Sequence, residues 1–270
     1  FDLYKQLKET YNDEPNVHIV GGDLYLGLEK NTEAKNEYLT AIQKGSTSFD
    51  AWQNLLYLES QDNEFDSIIV HSELGLEIFP NQAMLYYFNG FAHSRVNNNK
   101  EAAYSLEQAK RLSSSNEGMV SEINGLLGDI YNTLKNYKKS DESYDAALEF
   151  NPNNYLILNN YSYYLALRNE FLEKAERMAA LVVKNNPTNN SYLDTYAWVL
   201  FTRAKYKEAK RVIEKVIESN PTNSTFYEHY GDILFKLGNV EDAVKQWEKA
   251  KSFDNTNELI DKKIANRRLY

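Results

Sequence analysis

Four histidines are the side chains in this 270-residue sequence best suited to acid–base or metal chemistry, and their spacing favours neither. His18, His71, His93 and His229 stand far apart, so no two share the i, i+4 spacing that aims a pair of imidazoles at one metal. Carboxylates close in sequence, such as Glu64 and Asp66, fall beside a predicted turn and read as solvated charges. There is no glycine-rich phosphate loop, nucleophile elbow or His-Glu metal motif. With no cysteine, the sequence has no thiolate nucleophile, thiolate metal site or disulfide. A nucleophile, a base and an oxyanion stabiliser cannot be assembled from these residues, which predicts a non-enzyme that needs no cofactor or metal.

Charge narrows the partners. A net charge of −9 opposes binding to a phosphate backbone, so nucleic acid is not expected. One basic cluster, Lys262, Lys263, Arg267 and Arg268, reads as the cationic end of a terminal helix. No apolar run approaches the roughly 20 residues that cross a bilayer. Residue 1 is Phe and no signal peptide is visible, so the sequence reads as a mature product or an excised segment.

The elements that must position any functional group repeat. Gly22, Gly90, Gly128 and Gly231 occupy one register, with Leu56, Ser162 and Ala197 in its remaining slots, at steps of 34, 34, 38, 34, 35 and 34 residues. Twelve residues later come Ala34, Ala102, Ser140, Ala209 and Ala243, and prolines 80, 152 and 221 close their units, with Pro187 displaced by one. Each unit reads as two antiparallel helices. In the fourth, Ile123, Leu127, Ile130 and Leu134 keep helical spacing, Asn136 breaks it, and a second helix is predicted over 137–150. Asn151-Pro152 ends that helix, and proline then suits the first turn of the next. Small residues at the crossing let two backbones approach to roughly 8–10 Å. Tyr25, Tyr38, Tyr131, Tyr144 and Trp247 are expected to fill the space between successive units.

This unit resembles the tetratricopeptide repeat, a helix-turn-helix of about 34 residues. The resemblance covers residues 15–255 in seven units, and implies an all-α, right-handed superhelical solenoid of antiparallel helix pairs. Residues 1–14 match the second helix of an incomplete preceding repeat, and 256–270 a capping helix. Leu56 and Ile68 depart from the pattern, the fifth unit carries one extra residue near 168–172, and four extra residues at 113–118 read as a lengthened turn that could act as a hinge. The stretches from Tyr192 to Leu200 and Glu228 to Leu234 resemble the last repeats of bacterial multi-repeat proteins, many of them envelope lipoproteins. That resemblance implies a bacterial source, with the envelope favoured over the cytoplasm.

In repeats of this kind the first helix of each unit lines a concave groove. Offsets of −6, −3, +1, +4 and +5 from the register name the side chains that would face it. The aromatic ones are Tyr57, Tyr87, Phe91, Tyr163, Trp198, Phe201 and Phe235; the acidic ones include Asp23, Asp50, Glu122, Asp129, Asp194, Glu228 and Asp232; Asn159 is among the polar ones. Such a groove suits a protein or extended peptide with apolar anchors and Lys or Arg. It offers scarcely any cation for the carboxylate clamp of chaperone-binding relatives. The expected function is therefore a non-catalytic interaction scaffold. Two alternatives stand beside it: the recruiting or regulatory arm of a larger enzyme, and a self-association module.

Overall fold

The computed structural model describes residues 1–219 and 221–270, and the described residues form sixteen helices and no strand. They divide into two compact units, residues 1–151 and 152–270. The first unit opens with α1 (Asp2–Thr10). Four helix pairs follow: α2 (Pro15–Gly27) with α3 (Asn31–Gln43), α4 (Phe49–Gln61) with α5 (Phe65–Ile78), α6 (Ala83–Arg95) with α7 (Asn99–Leu112), and α8 (Glu117–Thr133) with α9 (Tyr137–Phe150). The second unit pairs α10 (Tyr155–Arg168) with α11 (Leu172–Asn185), α12 (Asn190–Thr202) with α13 (Tyr206–Glu218), and α14 (Ser224–Lys236) with α15 (Val240–Phe253). It ends on α16 (Glu258–Asn266), packed on α15.

One conformational device closes every pair. Seven residues past the register stand Glu29, Asn63, Asn97, Lys135, Asn169, Ala204 and Gly238, all left-handed, with φ of 55–63° for the first six in which a side chain is present and 86° for Gly238. The next amide donates back across the turn, as in Lys30 N–H to Tyr25 O at 2.9 Å, Asn136 to Tyr131 at 2.8 Å and Asn239 to Leu234 at 2.9 Å. These bonds satisfy carbonyls that a helix end would otherwise leave open. Gly238, Asn63, Asn97 and Asn169 are residue types that favour this conformation, whereas Glu29, Lys135 and Ala204 give no sign of it in the sequence. The fifth pair absorbs its extra residue with a second left-handed position, Phe171.

The register glycines have a sharper role than close backbone packing. A Cβ on Gly22 would stand 2.5 Å from the Tyr38 ring, one on Gly128 2.6 Å from Tyr144, and one on Gly231 2.5 Å from Trp247. The three rings are buried over the glycine of their own pair, and Tyr38 and Trp247 also pack in one cluster with the next helix, Tyr38 with Ala51 and Leu55 and Trp247 with Ile260. Backbone proximity contributes at Gly90 and Gly231, where the carbonyls of Ala102 and Ala243 would be 3.0 Å from a Cβ.

Three other expectations are corrected. The extra residues at 113–118 do not lengthen a turn: α8 starts at Glu117 and runs 17 residues, one helical turn longer than α2 or α14, capped by Asn116 Oδ1 accepting from Met119 N at 3.1 Å. No boundary falls there either, since both sides of it belong to the first compact unit. Pro80, Pro152 and Pro187 lie in the connections ahead of helices beginning at Ala83, Tyr155 and Asn190, outside the first helical turn.

Candidate functional site

The residue immediately after the register decides what each first helix presents. In chain order it is Asp23, Tyr57, Phe91, Asp129, Tyr163, Trp198 and Asp232. Each of the three aspartates follows a register glycine, and each accepts from the ring that glycine admits, fifteen residues on. The Tyr38 hydroxyl donates to Asp23 at 2.7 Å, the Tyr144 hydroxyl to Asp129 at 2.5 Å, and Trp247 Nε1–H to Asp232 at 2.9 Å. The glycine, the carboxylate and the ring form one triad, in the first, fourth and seventh pairs.

Asp232 and Glu228 are further occupied. Lys263 on α16 donates to Asp232 at 2.8 and 2.9 Å and to Glu228 at 2.6 Å, and Asn257 reaches Glu228 at 3.2 Å. Lys263 is 3% exposed. This corrects the reading of the terminal basic cluster: one of its members is a buried cation that locks the last helix onto the seventh pair. Burial raises the Asp232 carboxyl above its ordinary range, opposed by Lys263 and the Trp247 donor.

Asp194 is occupied by a histidine. His229 Nδ1 lies 2.9 Å from its Oδ1, and both residues are buried. Burial alone would push the imidazole down, but Asp194, with Asp232 and Glu228 nearby, raises it. The ring stacks on Trp198 at 4.1 Å between centroids, and Trp198 stacks on Phe201 at 4.8 Å, so three rings form a continuous column. Within this column Trp198 Nε1 is buried without a hydrogen-bond partner, and so, on α10, is Asn159 Oδ1. Tyr163, half-buried, has its hydroxyl raised by burial and by Asp194 and Glu228. Phe235 leans on Trp247 at 5.9 Å.

In the first unit, Tyr57 is exposed. Tyr87 stacks on Phe91 at 6.4 Å and 8° and donates to Glu122, while the Arg95 guanidinium sits 5.0 Å over Phe91. The predicted residues thus sort into two kinds. Asp129, Asp194, Glu228 and Asp232 are held by internal donors. Among the others, Tyr87 has its hydroxyl held by Glu122, whereas Trp198 Nε1 and Asn159 Oδ1 have no internal partner.

Sequence reasoning did not find His229 and Lys263. Both stand two residues before the register, counting α16 as an eighth first helix, and each meets a carboxylate 35 residues earlier, three before the previous register position. That offset was the available signal. Two of the other three histidines follow the same chemistry, His18 Nδ1 meeting Glu37 at 2.7 Å and His71 Nδ1 meeting Glu59 at 2.6 Å, while His93 lies beside the Asn98 amide. Among the described residues no group of three His, Asp or Glu side chains could hold a metal ion.

A tetratricopeptide-repeat family model matches residues 121–154, and a model described as anaphase-promoting complex, cyclosome, subunit 3 matches 168–250. No curated protein matches in sequence. A solved tetratricopeptide repeat protein from Parabacteroides merdae is similar over 94% of this chain and 98% of its own, at 16% identity and a TM-score of 0.68. PilW, a type IV pilus biogenesis factor, is similar over 68% and 85% at 19% identity and 0.60. PilF of Pseudomonas aeruginosa is similar over 68% and 83% at 20% identity and 0.57. At such identities the likeness is one of fold. No described helix is long and apolar enough to cross a membrane.

Proposed function

We propose that this tetratricopeptide-repeat solenoid is a non-catalytic scaffold whose first-helix faces hold an extended segment of a protein partner. The fold itself is generally a protein-interaction scaffold. The observation that carries the reading for this chain is the stacked column Phe201–Trp198–His229 on the first helices of the sixth and seventh pairs. Rings locked by stacking lose little entropy when a ligand covers them, and rigid aromatics dominate the energy of many interfaces.

On the second unit the contacts are Asn159, Tyr163, Trp198, Phe201 and Phe235, with Asp194, Glu228 and Asp232 shaping the field behind them. On the first they are Tyr57, Tyr87 and Phe91, with Asp129 behind. The segment carries apolar anchors first and Lys or Arg second. Lys263 and the His229 imidazole are set against the three carboxylates Asp194, Glu228 and Asp232, which offsets part of the negative charge of that face. A place in the bacterial envelope, implied by the stretches around Trp198 and Asp232, belongs to the same reading.

Affinity capture with the chain and with a Trp198→Ala, Tyr163→Ala variant tests it. A protein retained by the first and lost by the second, with matching circular dichroism, is the expected result. Equal recovery by both sinks the assignment. Asp232→Lys is not a useful probe, because it would bring a second ammonium against Lys263 inside the fold.

A further inference from the structure

The second helices of the repeats carry the solvent side of each pair, and one of them is unlike the rest. The exposed stripe of α5 consists of Asp66, Val70, Glu73, Leu74, Glu77 and Ile78. Val70, Leu74 and Ile78 are 52, 45 and 47% exposed and stand at i, i+4 and i+8, so they form one apolar line along the helix. Every charge on the helix is a carboxylate, and α5 contains no Lys or Arg; the other second helices, α3, α7, α9, α11, α13 and α15, each contain at least one. The same register positions on α13 hold Lys207, Arg211 and Lys215 in place of Asp66, Val70 and Leu74. The fold therefore has no need for apolar residues there.

A cleft opens along one edge of the stripe. Its volume is about 380 Å³, and Glu73 and Leu76 of α5 line it opposite Lys100 and Tyr104 of α7, over Tyr86 and His93 of α6. Tyr104 is 66% exposed and gives the cleft an aromatic wall, while Glu73 of the α5 stripe lines its other side. Three exposed apolar side chains in a row, edged by carboxylates, match an amphipathic helix with apolar residues at the same spacing and Lys or Arg on its flanks. Anionic lipid is the wrong charge for this surface.

We propose that the exposed face of α5 is a second docking surface, separate from the first-helix faces, for a cationic amphipathic helix of a partner protein that seats one large side chain in the cleft beside Tyr104.

The test uses a labelled 16-residue peptide of Leu, Ala and Lys, with Leu at i, i+4 and i+8 and Lys on both flanks, titrated into the full chain and read by anisotropy. A second peptide carries Glu in place of Lys. Three variants are compared: Val70→Arg with Leu74→Lys, which installs the residues α13 already tolerates; Glu73→Lys with Glu77→Lys; and Trp198→Ala. The Lys peptide is expected to bind the unaltered chain and Trp198→Ala alike, and to bind the first variant about tenfold or more weakly. The charge-reversed variant is expected to exchange preference toward the Glu peptide. Hydrogen exchange should slow over residues 65–79 on binding. Equal affinity for the first variant, loss of binding in Trp198→Ala, or no binding by the unaltered chain overturns the proposal. Dimerisation of the unaltered chain that Val70→Arg, Leu74→Lys abolishes would also overturn it, since a second copy would then be the occupant.

Discussion

The sixth and seventh helix pairs have the same plan and opposite uses for the residue after the register. In the sixth the register residue is Ala197, the next is Trp198, and the residue fifteen beyond that is Ile213, buried and apolar. Trp198 has no internal acceptor, so its ring is left to stack between His229 and Phe201. In the seventh the register residue is Gly231, the next is Asp232, and Trp247 fills the space a Cβ would need while donating to the carboxylate. One pair keeps its aromatic for the first-helix face and the other keeps it for itself. Gly-Asp at this register therefore marks a pair that satisfies its own polar chemistry, as in the first, fourth and seventh pairs, whereas Gly90 is followed by Phe91 and its pair has no such carboxylate.

The largest effect that would break this contrast is at Gly231. Its Cβ would meet Trp247 Cδ1 and Nε1 at 2.5 Å and the Ala243 carbonyl at 3.0 Å, and the Trp247 ring is fully buried and tied to Asp232. Gly231→Ala is expected to cost about 3 kcal/mol, the upper end of overpacking penalties, read as a lowered urea midpoint. The reciprocal change, Ala197→Gly, should cost only about 1 kcal/mol, the helix-propensity difference. Similar losses at both sites would show that the ring plays no part. Next in size is Lys263→Met, which strips the cation from two carboxylates. Removing one partner of a buried pair costs about 3–5 kcal/mol in general. Here α16 is the last helix and can undock to hydrate the carboxylates, so about 2 kcal/mol is expected. Faster hydrogen exchange confined to residues 258–266 would identify that route, while an unchanged exchange pattern and midpoint would remove Lys263 from the lock.

How far this contrast was legible in the sequence depends on the length scale of each signal. The register, the helix pairs and the second helix over 137–150 follow from apolar periodicity and small-residue spacing, which are local. Gly-Asp followed fifteen residues later by Tyr or Trp is also written in the sequence, but it becomes a triad only once two helices are folded against each other. The same limit hid Lys263: its position near the end suggested a solvated helix terminus, and only the previous pair, 31–35 residues back, supplies its carboxylates. The left-handed residue in the turns of the first, fourth and sixth pairs was illegible for a different reason. Glu29, Lys135 and Ala204 are not residues that announce positive φ. The lengthened turn expected at 113–118 failed because added residues can extend a helix as easily as a loop, and Asn116 caps the longer one.

A smaller effect tests the open side of the contrast through pH. The His229 pKa is raised in the fold from 6.5 by Asp194, against the burial that would lower it. The folded chain then binds this proton more tightly than the unfolded chain. Its stabilising contribution is complete below about pH 6.5 and is lost as pH rises through the raised folded value. Urea midpoints should therefore fall across that window, and Asp194→Asn should flatten the slope. A slope that survives Asp194→Asn would assign the titration to another group.

The smallest expected effect lies in the turn that both pairs share. Gly238 takes φ 86° in the seventh pair at the position where Ala204 takes φ 57° in the sixth. A left-handed alanine is strained because its Cβ crowds the following carbonyl, at roughly 1–2 kcal/mol, whereas glycine escapes the clash but gives the unfolded chain more freedom, worth roughly 0.4–1 kcal/mol. The difference favours glycine, so Ala204→Gly should stabilise the chain by about 0.5 kcal/mol and Gly238→Ala should destabilise it by a similar amount. The bond that closes each turn, Lys205 N–H to Leu200 O and Asn239 N–H to Leu234 O, is 2.9 Å in both, so neither change alters hydrogen bonding. If Ala204→Gly lowers the midpoint, the sixth pair uses its alanine for something beyond the turn. The exposed methyl, on the loop just beyond Phe201, would then have to be counted with the surface that Trp198 leaves open.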